Sequence, residues 1–189
     1  RDPLPTDAQQ GDLAPDVARH VAGLAASKAT CRSGVLIEDG HAVLEIGCGW
    51  GALAEEIAAR DAHVTAITIS EQQLEAARKR LAQSIEAGRA DVRFEDYRDT
   101  RGTFDRIASI EMIEAVGEEN WPTYFRTIHE RLKPGGSAVI QAITIREDLY
   151  GPYRRNADFI QRYIFPGGMV PGVPLMRAHA EGSGLIFSE

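Results

Sequence analysis

The chain has 189 residues, 28 of them acidic and 21 basic, for a formal net charge of −7. That length fits one domain with a sizeable core, and a hydrophobic share of 43% argues against a disordered chain. The acidic balance argues against a nucleic-acid substrate, and no run approaches the ~18 apolar residues that cross a bilayer.

Residues 1–14, rich in Pro, Asp, Gln and Gly, read as a mobile leader rather than a signal peptide. From Pro15 the spacing turns helical, with Val17, Val21, Leu24 and Ala25 three and four apart, and Gly34 closes that helix. Residues 1–40 are therefore expected as leader and helix, and 41–189 as the main domain. A short apolar run (Val43, Leu44, Ile46) predicts a buried strand, which runs into Gly47, Gly49 and Gly51 and then a helix over 52–60. A second strand is expected over 64–69, with Ser70 as N-cap of a long helix over 71–86. Its acidic and polar residues come first and Arg78, Lys79 and Arg80 late, as the helix dipole prefers. Strands follow over 91–95 and 104–110, then a helix over 119–132 stopped by Lys133-Pro-Gly-Gly136, and a fifth strand over 137–145. Residues 150–165 are aromatic and basic together, with Tyr150, Tyr153, Arg154, Arg155, Phe159, Arg162, Tyr163 and Phe165. A short helix over 173–181 and the start of a strand over 185–187 close the chain. The alternation predicts an α/β fold: a doubly wound, mostly parallel, Rossmann-like sheet with helices on both faces.

The glycine loop after the first strand is where a ligand approaches the backbone, because a side chain there would hold it away. A dinucleotide fingerprint reads Gly-x-Gly-x-x-Gly; here the third glycine comes one residue early, and Glu45 stands two residues before the first. A carboxylate so placed repels a pyrophosphate and suits an ammonium group, which S-adenosylmethionine (SAM) carries in its methionine tail. Ligands of such folds sit at the carboxyl ends of the strands, beside the reversal in strand order. That gathers the loop from Glu45 to Gly51, Thr68 to Ser70, Asp96 and Tyr97, and the stretch Ile110 to Glu114 around one crevice. Thr68, Ile69, Ser70 and Gln73 occupy the place of the usual ribose-binding acid, and hydroxyls and an amide still hydrogen-bond a diol; alternatively Ser70 only caps and Gln73 is solvated. Asp96 and Tyr97 suit adenine by acceptance and stacking, or form a polar turn. Glu111 and Glu114 flank Met112 and Ile113; a carboxylate in an apolar pocket there serves as a base, holds a bound anion's proton or stabilises a cation, or, for Glu111 above all, is a helix-start acid facing water. Cys31 and Cys48 make neither a disulfide scaffold nor a zinc site, no metal site is expected, and Cys48 reads as a small packing residue.

With these residues in place the chain resembles the cyclopropane fatty acid synthase family of class I SAM-dependent methyltransferases, over about residues 41–188. The marks are Val43-Leu-Glu-Ile-Gly-Cys-Gly-Trp-Gly51, Thr68-Ile-Ser-Glu-Gln-Gln73, Glu95-Asp-Tyr-Arg-Asp99, Phe104-Asp-Arg-Ile107, Glu114-Ala-Val-Gly117 and Tyr163-Ile-Phe-Pro-Gly-Gly168. The resemblance implies methyl transfer from SAM to the cis double bond of an unsaturated fatty acyl chain, usually in a phospholipid. The product is a cyclopropane, or a methylene branch that a partner reductase converts to a methyl branch. It also implies a bound bicarbonate as proton acceptor, held by Glu114 with Gln141 and Ile143 near it, and it sets Tyr163 among the catalytic residues.

Departures from the family pattern bear on the product. Ala115 and Gln141 stand where many members have histidine, and Cys31 is too close to the glycine loop for the family's upstream cysteine. The chain is also shorter than the family's N-terminal helices and C-terminal tyrosine-bearing stretch require, which implies a fragment, a divergent member or missing segments. Rival readings are methylation of a small-molecule acceptor at oxygen or nitrogen, and a SAM-binding subunit without activity of its own. The expected setting is cytoplasmic with peripheral membrane contact, as a homodimer or beside a reductase.

Overall fold

The computed structural model describes residues 37–155 and 168–188. The leader and helix expected before residue 37 lie outside the described residues, as do the second half of the aromatic-basic segment and Tyr163.

Five strands, β1 (Ala42–Ile46), β2 (His63–Thr68), β3 (Ala90–Phe94), β4 (Phe104–Ile110) and β5 (Leu132–Gln141), pair in the order β3-β2-β1-β4-β5. All four pairings are parallel. Parallel neighbours need crossovers, and helices supply them. α1 (Ala52–Ala58) joins β1 to β2, while α2 (Glu71–Arg80) and α3 (Ala82–Glu86) join β2 to β3. α4 (Ile113–Val116) and α5 (Trp121–Arg131) join β4 to β5; α6 (Glu147–Arg155) and α7 (Val173–Gly182) follow. The order reverses between β1 and β4, so the crevice lies above their carboxyl ends.

Strand alternation divides the core into two layers. Val43 faces Ala54, Ile57 and Ala58 of α1 and Ala77 of α2, together with Val64, Ala66 and Val92. Leu44 and Ile46 face the other way, into Ile67, Ile107, the α5 side chains Trp121, Tyr124, Phe125 and Ile128, and Met176 of α7. At roughly 1.5–3 kcal/mol for each large side chain removed from water, these two layers drive the fold.

Four boundaries differ from expectation for physical reasons. The helix expected over 71–86 breaks at Leu81, whose ψ of 8° leaves the helical range while its side chain stays buried. No Gly or Pro marks that break, so periodicity reads through it. The helix before β5 does end at Arg131, but Lys133-Pro-Gly-Gly136 lies inside β5 instead of before it. Phe104 pairs with Leu132 and Arg106 with Ser137, so a step of two residues on β4 meets a step of five on β5, a bulge. β5 then stops at Gln141, opposite Ile110, because β4 ends there and residues 142–145 have no strand to pair with. The strand expected over 185–187 is absent: Gly184 (φ 90°) and Leu185 close α7, the Leu185 N–H on the Ala180 carbonyl and the Gly184 N–H on Glu181. Leu185 and Phe187 instead pack on the α5–α7 layer.

Candidate cofactor site

The chain leaves β1 through a tight turn in which the N–H groups of Gly47 and Cys48 both donate to the Ile67 carbonyl (3.1 and 2.9 Å). Gly47 has φ 77°, and a Cβ there would stand 3.0 Å from Cγ of Met112. Gly51 serves a different purpose. It has φ 81°, and a Cβ would lie 3.0 Å from Cβ and 3.1 Å from Cα of Ala77, so its bareness lets α1 sit against α2. Cys48 is buried, its thiol pushed up to about 12 by burial, an unreactive packing residue.

A cavity of about 410 Å³ opens above the carboxyl ends of the strands, well within the ~300–1,000 Å³ of small-molecule sites. Gly47 and Gly49 form one wall, Thr68, Ile69 and Gln73 a second, Asp96 and Tyr97 a third, and Ile110 closes it near β4. Thr68 is buried at the end of β2; its Oγ1 donates to Oε1 of Gln73 (2.9 Å) and accepts the Ser70 N–H (3.1 Å). That pair fixes the Gln73 side chain at the wall. Ser70 itself does not line the cavity: its Oγ accepts the Gln73 N–H (3.3 Å) and caps α2.

Asp96 is held by Arg98, which donates from Nε (2.8 Å) and Nη2 (2.6 Å), and the contact keeps its carboxyl below the usual range. The Arg98 guanidinium also stands 5.8 Å from the centroid of the Tyr97 ring. Tyr97 is buried and meets Tyr124 edge to face at 5.7 Å, which sets the plane of its ring. Met112, within the stretch expected over 110–114, also lines the cavity, as do Arg98, Glu95 and Asn120, which sequence reasoning missed. Arg98 and Glu95 were visible as the neighbours of Asp96 in Glu95-Asp-Tyr-Arg-Asp99; the approach of Met112 to Gly47 had no local signal.

Glu45 is placed elsewhere. It shares the β1 face of Val43, 3% exposed beneath the glycine loop, and takes the Ala54 N–H instead of lining the cavity. Burial raises its carboxyl to about 8, and Oε2 has no hydrogen-bond partner. Of the residues expected at the methionine end, Gly47 and Gly49 line the cavity, and Glu45 and Gly51 stand behind it.

Past β4 the chain turns at Glu111, a non-glycine residue at φ 49°. Its N–H donates to the Gln141 carbonyl (2.8 Å), and Nε2 of Gln141 donates to Oε1 of Glu111 (3.2 Å). Glu114, on α4, is 1% exposed; its Oε1 accepts the Ile143 N–H and its Oε2 has no partner. Burial raises its carboxyl above the usual range. The Glu114 carbonyl accepts the Met169 N–H (2.9 Å), so the segment before α7 is tied across this corner. Glu114, Gln141 and Ile143 thus gather beside the cavity without lining it.

A parallel sheet in this order, a glycine turn after β1 and a cavity above the reversal define the Rossmann-like fold of the class I methyltransferases. The family model described as Mycolic acid cyclopropane synthetase matches residues 16–189, and the chain belongs to that family. A tuberculostearic acid methyltransferase from Mycobacterium tuberculosis is 44% identical over 135 residues, 71% of this chain and 32% of the relative. A cyclopropane-fatty-acyl-phospholipid synthase from Escherichia coli is 39% identical over 140 residues, 72% of this chain and 34% of the relative. The chain thus spans about a third of the length of the curated relatives it matches. Among solved structures, mycolic acid cyclopropane synthase CmaA1 complexed with SAH and CTAB matches with a TM-score of 0.71 at 25% identity, covering 81% of this chain and 57% of that one. The magnesium protoporphyrin IX methyltransferase of Synechocystis, at 16% identity and a TM-score of 0.68 over 100% of this chain and 81% of that one, shares the fold alone.

Proposed function

We propose that this chain binds SAM and transfers its methyl group to the cis double bond of an unsaturated fatty acyl chain, in a phospholipid. The observation that carries the reading is the buried Glu114, held by the Ile143 N–H at the edge of a cavity walled by the glycine turn. SAM fits the residues present: the turn leaves backbone where a Cβ would crowd Met112, and the walls offer hydroxyl, amide, carboxylate and ring in succession. When bound, SAM supplies an electrophilic methyl group.

The chain's own residues do the rest. Gly47 and Gly49 take the methionine end, with Glu45 beneath them and Gly51 holding the helix in place. Thr68 and Gln73 meet the ribose hydroxyls, Ser70 fixes the turn that presents them, and Ile69 covers them from the solvent side. Asp96 and Tyr97 hold adenine by acceptance and stacking, with Ile110 opposite. An alkene that gains a methyl group becomes a cation, and an anion in apolar surroundings stabilises it. Bicarbonate would sit at the corner of Glu114, where burial raises the carboxyl's pKa and so favours the protonated form that donates to an anion, while the Ile143 N–H donates to Oε1 of Glu114 and holds the carboxyl in place. Tyr163 is assigned a catalytic role from its motif alone, since it lies outside the described residues. Ring closure forms a bond from the transferred methyl carbon to the cationic carbon as a methyl C–H bond breaks, and a bicarbonate held at this corner would accept the proton. A methylene branch is the second product reading, because Gln141 stands in a histidine position of the family and its amide is engaged by Glu111.

Lipid contact is peripheral in this reading. No helix among the described residues is long and apolar enough to cross a membrane, and α6 carries the exposed Leu149 beside Arg154 and Arg155. The test is methyl transfer from labelled SAM to vesicles of monounsaturated phospholipid, with bicarbonate added or removed. Product that needs bicarbonate and collapses in Glu114→Gln supports the reading. Transfer to a small hydroxyl or amine acceptor that survives Glu114→Gln contradicts it.

A further inference from the structure

Just past β3, the cavity wall carries a carboxylate whose hydrogen-bonding capacity is almost filled by the residue two positions on. Oδ1 of Asp96 accepts both the backbone N–H of Arg98 (2.9 Å) and its Nε (2.8 Å), while Oδ2 accepts Nη2 (2.6 Å). A carboxylate has about four lone-pair positions, so these donors fill three and leave one, on Oδ2. The backbone is held as well: the Asp99 N–H donates to the Asp96 carbonyl (2.9 Å), a turn that keeps Asp96 and Arg98 at the wall. Arg98 has a third anchor. Its guanidinium stands 5.8 Å from the centroid of the Tyr97 ring, and that ring is buried against Tyr124. The contact keeps the Asp96 carboxyl below its usual range, so the acceptor left over is a charged one. The Arg98 side chain is 55% exposed, and an exposed ion pair adds little to stability, which therefore gives no account of three donors converging on one carboxylate.

We propose that Arg98 is a positioning residue for base selection: it locks the Asp96 carboxylate with a single acceptor position left, on Oδ2, for the 6-amino group of an adenine in the cavity. An aminopurine brings a donor to that position. A 6-oxopurine brings a carbonyl oxygen there, which a charged acceptor repels, and carries its own N–H one ring atom away, at N1. A carboxylate free to turn follows that N–H and binds either base. One held by three donors does not, so the wrong base leaves a polar group unpaired and is rejected. The Tyr97 ring contact keeps the guanidinium beside the stacking surface, so the carboxylate and the ring are presented as one unit. This role for Arg98 rests on Asp96 meeting adenine, as in the proposed function.

The test is calorimetry on the full chain with two probes, S-adenosylhomocysteine and S-inosylhomocysteine, which carries an oxygen in place of the 6-amino group. The unaltered chain is expected to bind the adenine compound about tenfold tighter or more. Arg98→Met removes the fork and keeps an unbranched side chain beside Tyr97; the preference should fall severalfold. Arg98→Lys restores one cationic donor and should recover part of it. Ligand-free melting temperatures of the three proteins should agree, as an exposed pair requires. A preference unchanged in Arg98→Met overturns the proposal, and so does a loss that tracks a lower melting temperature, which marks a structural role. Asp96→Asn separates the two levels. If it levels the preference while Arg98→Met does not, adenine binding at Asp96 stands and the role of Arg98 falls. If Asp96→Asn also leaves the preference intact, Asp96 does not meet adenine and both fall.

Discussion

Glu45 carries an acid in a place where water does not reach, and its titration is a direct consequence. Burial raises its carboxyl from 4.5 to about 8. A carboxyl whose folded pKa lies above its unfolded one stabilises the fold fully below the unfolded value, and that contribution is lost as pH rises through the folded value. Stability is therefore expected to fall between about pH 4.5 and 8 by on the order of a few kcal/mol. Glu45→Gln should flatten that slope, measured by urea unfolding across the range. Gly51 offers the second prediction at this scale. Alanine there meets both φ 81° and Ala77 at 3.0 Å, so Gly51→Ala should lower stability by about 1–3 kcal/mol in thermal unfolding. Gly49 has positive φ but nothing within 4 Å of a Cβ, so Gly49→Ala should cost less stability than Gly51→Ala. Its larger effect should be on SAM affinity, measured by calorimetry. Roles of this kind were only half legible in the sequence. The spacing of the glycines announced a ligand loop, yet only the packing of α1 on α2 shows that the third glycine serves the fold.

Among the elements, α2 shows how one turn serves structure and site together. Ser70 caps it, Thr68 braces Ser70, and Gln73 in the first turn reaches the cavity wall. Ser70→Ala should cost about 0.5–2 kcal/mol of stability with little change in SAM affinity. Gln73→Ala, half-buried at the cavity wall, should lower SAM affinity more; calorimetry and thermal melts on the two variants separate them. Strand and helix identities were legible because apolar periodicity changes cleanly between them, as from Val64-Thr-Ala-Ile to the helix after Ser70. Boundaries were less so. The break at Leu81 and the bulge at Lys133-Pro-Gly-Gly136 depend on what the neighbouring element does, and no local residue pattern carries that information. The end of β5 is the plainest case, since it is set by the length of β4.

For the whole molecule, the reversal of strand order between β1 and β4 does most to place function. It puts the glycine turn, the ends of β2 and β3 and the Glu111–Glu114 corner above one edge of the sheet, although more than 60 residues of chain separate Gly47 from Glu114. That convergence was foreseeable from the α/β alternation alone. Two things were not: that Glu45 turns under the loop, and that Arg98 occupies Asp96. Each depends on side-chain direction, which the sequence states only as hydrophobic or polar.

The central claim is methyl transfer to an acyl double bond, and mass spectrometry of membrane lipids tests it most directly. The chain is expressed in a host lacking its own synthase, and monounsaturated phospholipids are compared with and without it. The account predicts that unsaturated chains gain one CH2 while saturated chains are unchanged, and that Glu114→Gln abolishes the gain. Unaltered acyl chains in cells where the purified chain still binds SAM would contradict it.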